Sequence, residues 1–181
     1  PHLSRYGANA ARALELEGAV RPGTVAREMR RALAEVERAR QELARWAEES
    51  GRTPGAVEWL LDNHYLAVRE GEEALRALKK AGPLRGDGQG GALLQRCVRG
   101  GVWAVPHLKR ERLTWYLKAF QTVQPLTERE LSLLVPVLAI ELIQELAQEA
   151  GQLEELRQGR TDPGRLEHLF SALRALEGEN W

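Results

Sequence analysis

The sequence predicts an all-α protein, an irregular bundle of about six or seven helices around a Pro-bent central apolar helix. Three observations carry this expectation. Apolar residues recur at spacings of three, four and seven over most of the chain, the period of a helix with one buried face. Ala, Leu, Arg and Glu dominate, while runs of β-branched and aromatic residues alternating at period two are absent, so strands are not expected. Proline, glycine and threonine punctuate the periodic stretches where helices would start and stop.

The elements follow in order. Leu3, Tyr6, Ala10, Ala13 and Leu14 suggest a first helix ending near Gly18, and Val20–Gly23 is a break. Thr24 can cap a second helix whose apolar stripe is Val25, Met29, Leu33, Val36, Leu43 and Trp46. Thr53 can cap a third, with Pro54 in its first turn, where a missing N–H costs nothing. Leu60, Leu61, Tyr65, Val68, Leu75 and Leu78 form its expected buried stripe. The glycine-rich segment 81–91 is either a long loop, a flexible internal linker, or a boundary.

A short helix is expected over Ala92–Val98, interrupted by Arg99–Pro106. The fifth runs from about His107 to Val123, with Leu113, Tyr116, Leu117, Phe120 and Val123 inward. Thr127 and Glu130 form the S/T-x-x-E capping box that opens the sixth. That helix is apolar nearly all round from Leu131 to Ile143, which suits the centre of a bundle, and Pro136 should bend it. Asp162 and Pro163 open a last helix with Leu166, Leu169, Phe170, Leu173 and Leu176 inward. No repeat of fixed period stands out. The whole chain, 1–181, reads as a single helical domain. Opening on Pro1 and closing on Trp181 just after a helical pattern, it is expected to be a fragment of a longer protein.

Bulk properties narrow the function. Lys+Arg and Asp+Glu both total 26, so no general nucleic-acid footprint exists and nucleic acid is not an expected partner. The most apolar run, Leu131–Leu146, is broken by Pro136, Glu141, Gln144 and Glu145. A bilayer span needs about 20 mostly apolar residues, so no direct membrane span is expected. Cys97 is the only cysteine, which excludes an intrachain disulfide and every multi-cysteine metal motif.

The candidate chemistry is sparse. His64, His107 and His168 fall in different expected helices without His-x-x-x-His spacing, so neither a metal nor a cofactor is expected. The "GDGQGG" run (86–91) lacks the preceding strand and the following Gly-Lys-Ser/Thr of a phosphate loop. Cys97 lies in an apolar stripe, where a buried inert thiol is the default. Glu58 and Asp62 lie four apart on one helix face beside Trp59, and an indole with carboxylates is a common way to hold a sugar. A glycosidase pair must flank the bond from both sides, which two acids on one helix do not. Asp62 and Asn63 read as structural in preference to functional. Trp59 and Asn63 share a face that would hold the third helix against the Pro136 helix, the buried amide being hydrogen-bonded.

Three stretches resemble a known family. "TPGAVEWLLDNHYLAVREGEEALRAL" (Thr53–Leu78) resembles a segment early in the cyclic β-1,2-glucan synthases, large bacterial inner-membrane enzymes with a family 84 glycosyltransferase region, a cyclisation region and a family 94 phosphorylase-like region. "LTWYLKAFQTVQPLTERELSLLVPVLAIELIQELA" (Leu113–Ala147) is similar to a helix pair and the helix after it in the same proteins, and "LFSALRALEGENW" (Leu169–Trp181) is similar, more weakly, to a later segment. The resemblance covers about two thirds of the chain. Departures fall at polar positions. Ile140 stands near a usual arginine, Glu145–Leu146 replaces a Glu-Asn pair, and a Pro-Arg-Val-Tyr motif is missing. The nucleotide-sugar-binding aspartates of the family lie outside the matched stretches, so no catalytic residue carries over.

The resemblance implies a noncatalytic N-terminal helical domain that supports or positions a membrane glycosyltransferase. Its partners would be other domains of a longer parent protein, with contact to a β-glucan through Glu58, Trp59, Asp62 and Asn63 as the binding option. Its place would be cytoplasmic, at the inner face of the bacterial inner membrane through the parent. The alternative is a free-standing helical module that binds a helical protein partner and has no glucan-related activity.

Overall fold

The computed structural model describes residues 5, 7–8, 18–104 and 109–177. The first expected helix, His107 and Trp181 lie wholly or largely outside them. Eight helices and one two-stranded ribbon occur among the described residues, so the all-α class holds.

Helix α1 spans Pro22–Ser50. It starts two residues before the expected Thr24 cap, because Pro22 at its first position has the helical φ built in and needs no N–H acceptor. It ends where Gly51 turns left-handed (φ 65°) and its N–H returns to the Ala47 carbonyl. Val25, Met29, Val36 and Leu43 are buried as expected; Leu33 and Trp46 are half-buried.

Helix α2 spans Gly55–Lys80, with Pro54 rather than Thr53 at its N-cap. Its buried face is rotated from the expected stripe. Ala56, Val57, Leu60, Ala67, Gly71, Ala74 and Leu78 face inward, whereas Tyr65 and Val68 are exposed. Small residues win this face because α2 packs between α1, α6 and α8, and close helix approach favours short side chains over large ones.

The glycine-rich segment after α2 carries defined contacts. A two-residue antiparallel ribbon joins β1 (Ala19–Val20) to β2 (Leu84–Arg85), and Leu84 is buried. This is the one departure from the expectation of no strands.

Helix α3 spans Leu93–Ala104 and runs through Gly100 and Gly101, where an interruption was expected. The reason lies in packing against α4 (Arg110–Gln121). A Cβ at Gly101 would sit 2.9 Å from Leu113 Cδ1 and 3.2 Å from Tyr116 Cε1. The glycine is a packing residue, and its low helix propensity is offset by the close approach it permits. Leu113, Tyr116, Leu117 and Phe120 of α4 are all buried.

The capping box forms as read. The Thr127 hydroxyl accepts from the Glu130 N–H and the Glu130 carboxylate accepts from the Thr127 N–H. The expected bend at Pro136 does not occur there. The chain breaks at Leu133, between α5 (Glu128–Ser132) and α6 (Leu134–Gly151). Pro136 has no N–H for the Ser132 carbonyl, so the preceding turn ends at Ser132 and the proline sits in the first turn of a new helix. Helix α6 is central, packing on α1, α2, α3 and α8. Leu138, Ile140, Leu142 and Ile143 are fully buried. A short α7 (Leu153–Arg157) follows, then α8 (Pro163–Ala175), whose Asp162 cap accepts the Gly164 N–H at 3.0 Å. Leu166, Leu169, Phe170, Leu173 and Leu176 are buried as expected. Among the described residues no helix is long and apolar enough to cross a membrane.

Candidate functional site

The polar row on α2 does not converge. Glu58 and Asp62 are exposed, and Trp59 is half-buried against the core. Asn63 donates through Nδ2 to the Trp59 carbonyl at 3.0 Å, inside its own helix. Its Oδ1 accepts from Arg174 Nη2 at 3.4 Å. Asn63 therefore meets α8, not the Pro136-bearing helix that the sequence suggested. His64 Nδ1 lies 3.3 Å from the Leu61 carbonyl. Apart from the Asn63–Arg174 contact, each polar group here bonds within its own helix or faces solvent.

This placement predicts a ranked series. Trp59→Ala should lower stability by about 2 kcal/mol, less than the ~3–5 kcal/mol typical of a fully buried aromatic, because the indole is half-buried. Asn63→Ala should cost about 1 kcal/mol through its hydrogen bonds. Glu58→Ala should change stability by no more than about 0.5 kcal/mol. Thermal melts rank the three; a wild-type melt for Trp59→Ala would remove Trp59 from the packing.

The polar chemistry that the sequence hid is buried between helices. Glu141 on α6 is 3% exposed. Arg99 Nε donates to its Oε2 at 2.8 Å, and Gln95 Nε2 lies 3.4 Å from Oε1. Burial pushes the Glu141 carboxyl above the ordinary range, against the pull of Arg99 and Gln95. Its neighbour Glu145 is raised too, again mainly by burial. Glu130 behaves in the opposite way. Burial raises it, but Arg85 and the Thr127 N–H outweigh that and hold its carboxyl below the ordinary range. Arg85 grips it with two bonds, Nε to Oε1 at 2.8 Å and Nη2 to Oε2 at 2.6 Å.

The glycine run forms a small turn around Asp87. Its Oδ1 accepts from the N–H groups of Gln89 (2.8 Å) and Gly91 (3.0 Å), and Oδ2 lies 3.1 Å from Arg96 Nε. Burial raises the Asp87 carboxyl, and those bonds bring it below the ordinary range. A polar pocket of about 240 Å³ opens beside it, walled by Glu28, Arg96 and Arg99. The Asp87 carboxylate takes the two loop N–H groups that an incoming phosphate would need, and both arginines are already paired. The arrangement is a closed turn, not a phosphate cradle.

Cys97 is fully buried, and burial, with Glu130 nearby, pushes its thiol well above the ordinary range. A thiol-directed reagent should therefore leave native protein unlabelled for as long as it stays folded and label it in denaturant; rapid native labelling would contradict this burial. Among the described residues, no group of three or more His, Cys, Asp or Glu side chains is placed to hold a metal.

Sequence reading missed the Glu141–Gln95–Arg99 cluster because its partners lie 46 and 42 positions apart, and missed the role of Asp87 because its glycine-rich run reads as a loop. Only a glutamate inside an otherwise apolar helix, Glu141, stood out as a clue, since a buried carboxylate needs a partner. No protein-family model, no curated protein and no solved structure matches the chain.

Proposed function

We propose that this chain is a noncatalytic helical domain that supports or positions a membrane glycosyltransferase, as the resemblance to the N-terminal region of cyclic β-1,2-glucan synthases implies. One observation supports it above the rest. The buried carboxylates among the described residues are each paired with an arginine: Glu130 with Arg85 of β2, Glu141 with Arg99 of α3, Asp87 with Arg96 of α3 and Glu70 with Arg69 of its own helix. An acid–base pair needs carboxylates open to substrate, and these four are buried and already paired. The two more specific stretches of the resemblance also fall on α2 and on α4–α6, and α2 packs directly on α6. In the parent protein the domain would sit on the cytoplasmic face of the inner membrane, beside the transferase.

The test is reconstitution. Membrane vesicles carrying the glycosyltransferase region of a cyclic β-1,2-glucan synthase, stripped of its own N-terminal helices, should co-sediment with the purified chain and regain transfer from a nucleotide sugar. Absence of co-sedimentation, or turnover of a nucleotide sugar or β-glucan by the chain alone, would overturn the proposal.

A further inference from the structure

Helix α2 buries several small residues and leaves two large ones outside. Ala56, Ala67, Gly71 and Ala74 meet the neighbouring helices, while Tyr65 is 49% and Val68 38% exposed. Leu61 and Leu75 are half-buried. Leu61, Tyr65, Val68, Glu72 and Leu75 recur at intervals of four, three, four and three. That is the heptad seam of a helix that packs against another helix. The inward face of α2 is filled by α1, α6 and α8, and this second seam lies outside those contacts, with Tyr65 and Val68 at its middle. The periodicity that predicts both residues buried is therefore not answered by the described helices of the chain. Two large apolar side chains in line on one exposed face mark an interaction surface, which scattered single ones do not.

The charges beside the seam select the partner. Glu58 and Asp62 are exposed towards its N-terminal end, Arg76 and Lys79 towards its C-terminal end. Glu58 stands ten positions before Val68 and Lys79 eleven after it; Asp62 stands six before and Arg76 eight after; Tyr65 stands three before and Glu72 four after. A copy of α2 laid antiparallel along the seam, Val68 beside Val68, sets Glu58 against Lys79, Asp62 against Arg76 and the Tyr65 hydroxyl against the Glu72 carboxylate. Two-fold symmetry makes each of these contacts twice with a single patch. Once the seam is covered the Glu72 carboxylate needs a donor, and the copy's phenol supplies it. A parallel copy would set acid on acid and base on base. Arg76 pairs with Glu73 of its own helix, but both side chains are exposed, and a surface pair of that kind is worth too little to withhold the guanidinium.

We propose that this chain pairs with a second copy of itself through the Leu61–Leu75 seam of α2, the two helices running antiparallel. Helix α2 has 26 residues, a length of about 39 Å. One helix face of that length offers less than the ~800 Å² per partner of a standard interface, so the dimer is weak, with a Kd on the order of 10–100 µM. The pairing does not depend on the role proposed above. A chain that dimerises and fails to reconstitute the transferase would keep this interface and lose that role.

The test is sedimentation equilibrium of the purified chain, from roughly a tenth of that Kd to ten times it. The mass should rise from one chain to two and no further, because a two-fold contact closes on itself. Tyr65→Arg, at an exposed position, should keep the wild-type melt and weaken association about tenfold or more. Two charge-reversed variants then fix the partner and its direction. Glu58→Lys/Asp62→Lys and Arg76→Glu/Lys79→Glu should each stay monomeric where wild type pairs, and their equimolar mixture should pair. Mixing leaves each variant's own fold as it was, so recovery in the mixture reads the contact even where a variant's melt has shifted. A wild type that stays monomeric throughout, as it would if α2 took only another protein's helix, would overturn the proposal. So would a Tyr65→Arg protein that associates like wild type, reversed variants that still pair alone, or a mixture of the two folded variants that stays monomeric.

Discussion

Tyr116→Ala lowers stability by about 3–5 kcal/mol, the expected cost of emptying a fully buried aromatic site. Total stabilities of domains are roughly 5–15 kcal/mol, so this one change removes a large share. The side chain is fully buried at the α3–α4 contact. Its ring lies against the bare face of Gly101 and 6.3 Å from the Phe120 ring centre. Its hydroxyl donates to the Cys97 carbonyl at 2.9 Å. Tyr116→Phe keeps the ring and loses that bond, so it should cost only about 1 kcal/mol. Urea unfolding followed by helical circular dichroism measures both. A Tyr116→Ala protein within 1 kcal/mol of wild type would contradict the contact between α3 and α4 described above.

Arg99→Met has the next largest effect, and it depends on pH. Removing one partner of a buried pair leaves an uncompensated charge, which costs about 3–5 kcal/mol; Arg99 is half exposed in solvent, so about 3 kcal/mol is expected near neutral pH. The carboxyl of Glu141 already sits above its ordinary value in the folded state, and losing Arg99 raises it further. A raised carboxyl means the folded state holds more protons than the unfolded one, so stability falls as pH rises through that window. The Arg99→Met penalty should therefore be full above the raised value and fade as pH approaches the ordinary carboxylate range. Glu28 faces the pair and raises the Glu141 carboxyl further, and Glu145, itself raised mainly by burial, adds to the trend. Glu130 has the reverse sign: its contribution is present above the ordinary carboxylate range and is lost as pH falls through its lowered value. Melting temperatures of wild type and Arg99→Met at mildly acidic and mildly alkaline pH read the Glu141 trend, and wild-type melts carried below the ordinary carboxylate range read that of Glu130. A penalty equal at both pH values would show that Glu141 is not the group left uncompensated.

Much of the fold was legible because its signals are local. A capping box needs only Thr127 and Glu130, and the start of α8 needs only Asp162 and Pro163; both fall where the sequence placed them. The inward faces of α4 and α8 were readable since large apolar residues mark them. The face of α2 was not, because close neighbours on three sides select small residues, and Tyr65 and Val68 drew the eye outward. Helix α3 ran past its two glycines for a similar reason: the gain from Gly101 meeting Leu113 and Tyr116 lies in another segment, out of sight of propensity. At Pro136 the proline's effect was rightly sensed but placed one turn late. Polar partners were the least legible. Gln95 and Glu141 stand 46 positions apart and Arg85 and Glu130 stand 45 apart, and periodicity carries no information about such pairs.

Glu130 serves three parts of the chain with one carboxylate: the cap of α5 at Thr127, strand β2 through Arg85, and, by way of Arg85 Nη2, the Pro125 carbonyl at 2.7 Å. Strand β2 in turn holds β1, and the Gly86 N–H reaches the Gly18 carbonyl at 3.0 Å. Linked in this way, these groups should open as one cooperative unit. The Thr127 and Gly86 amides, 41 positions apart by number, should exchange their hydrogens with deuterium through a shared opening, and Glu130→Ala should speed both together.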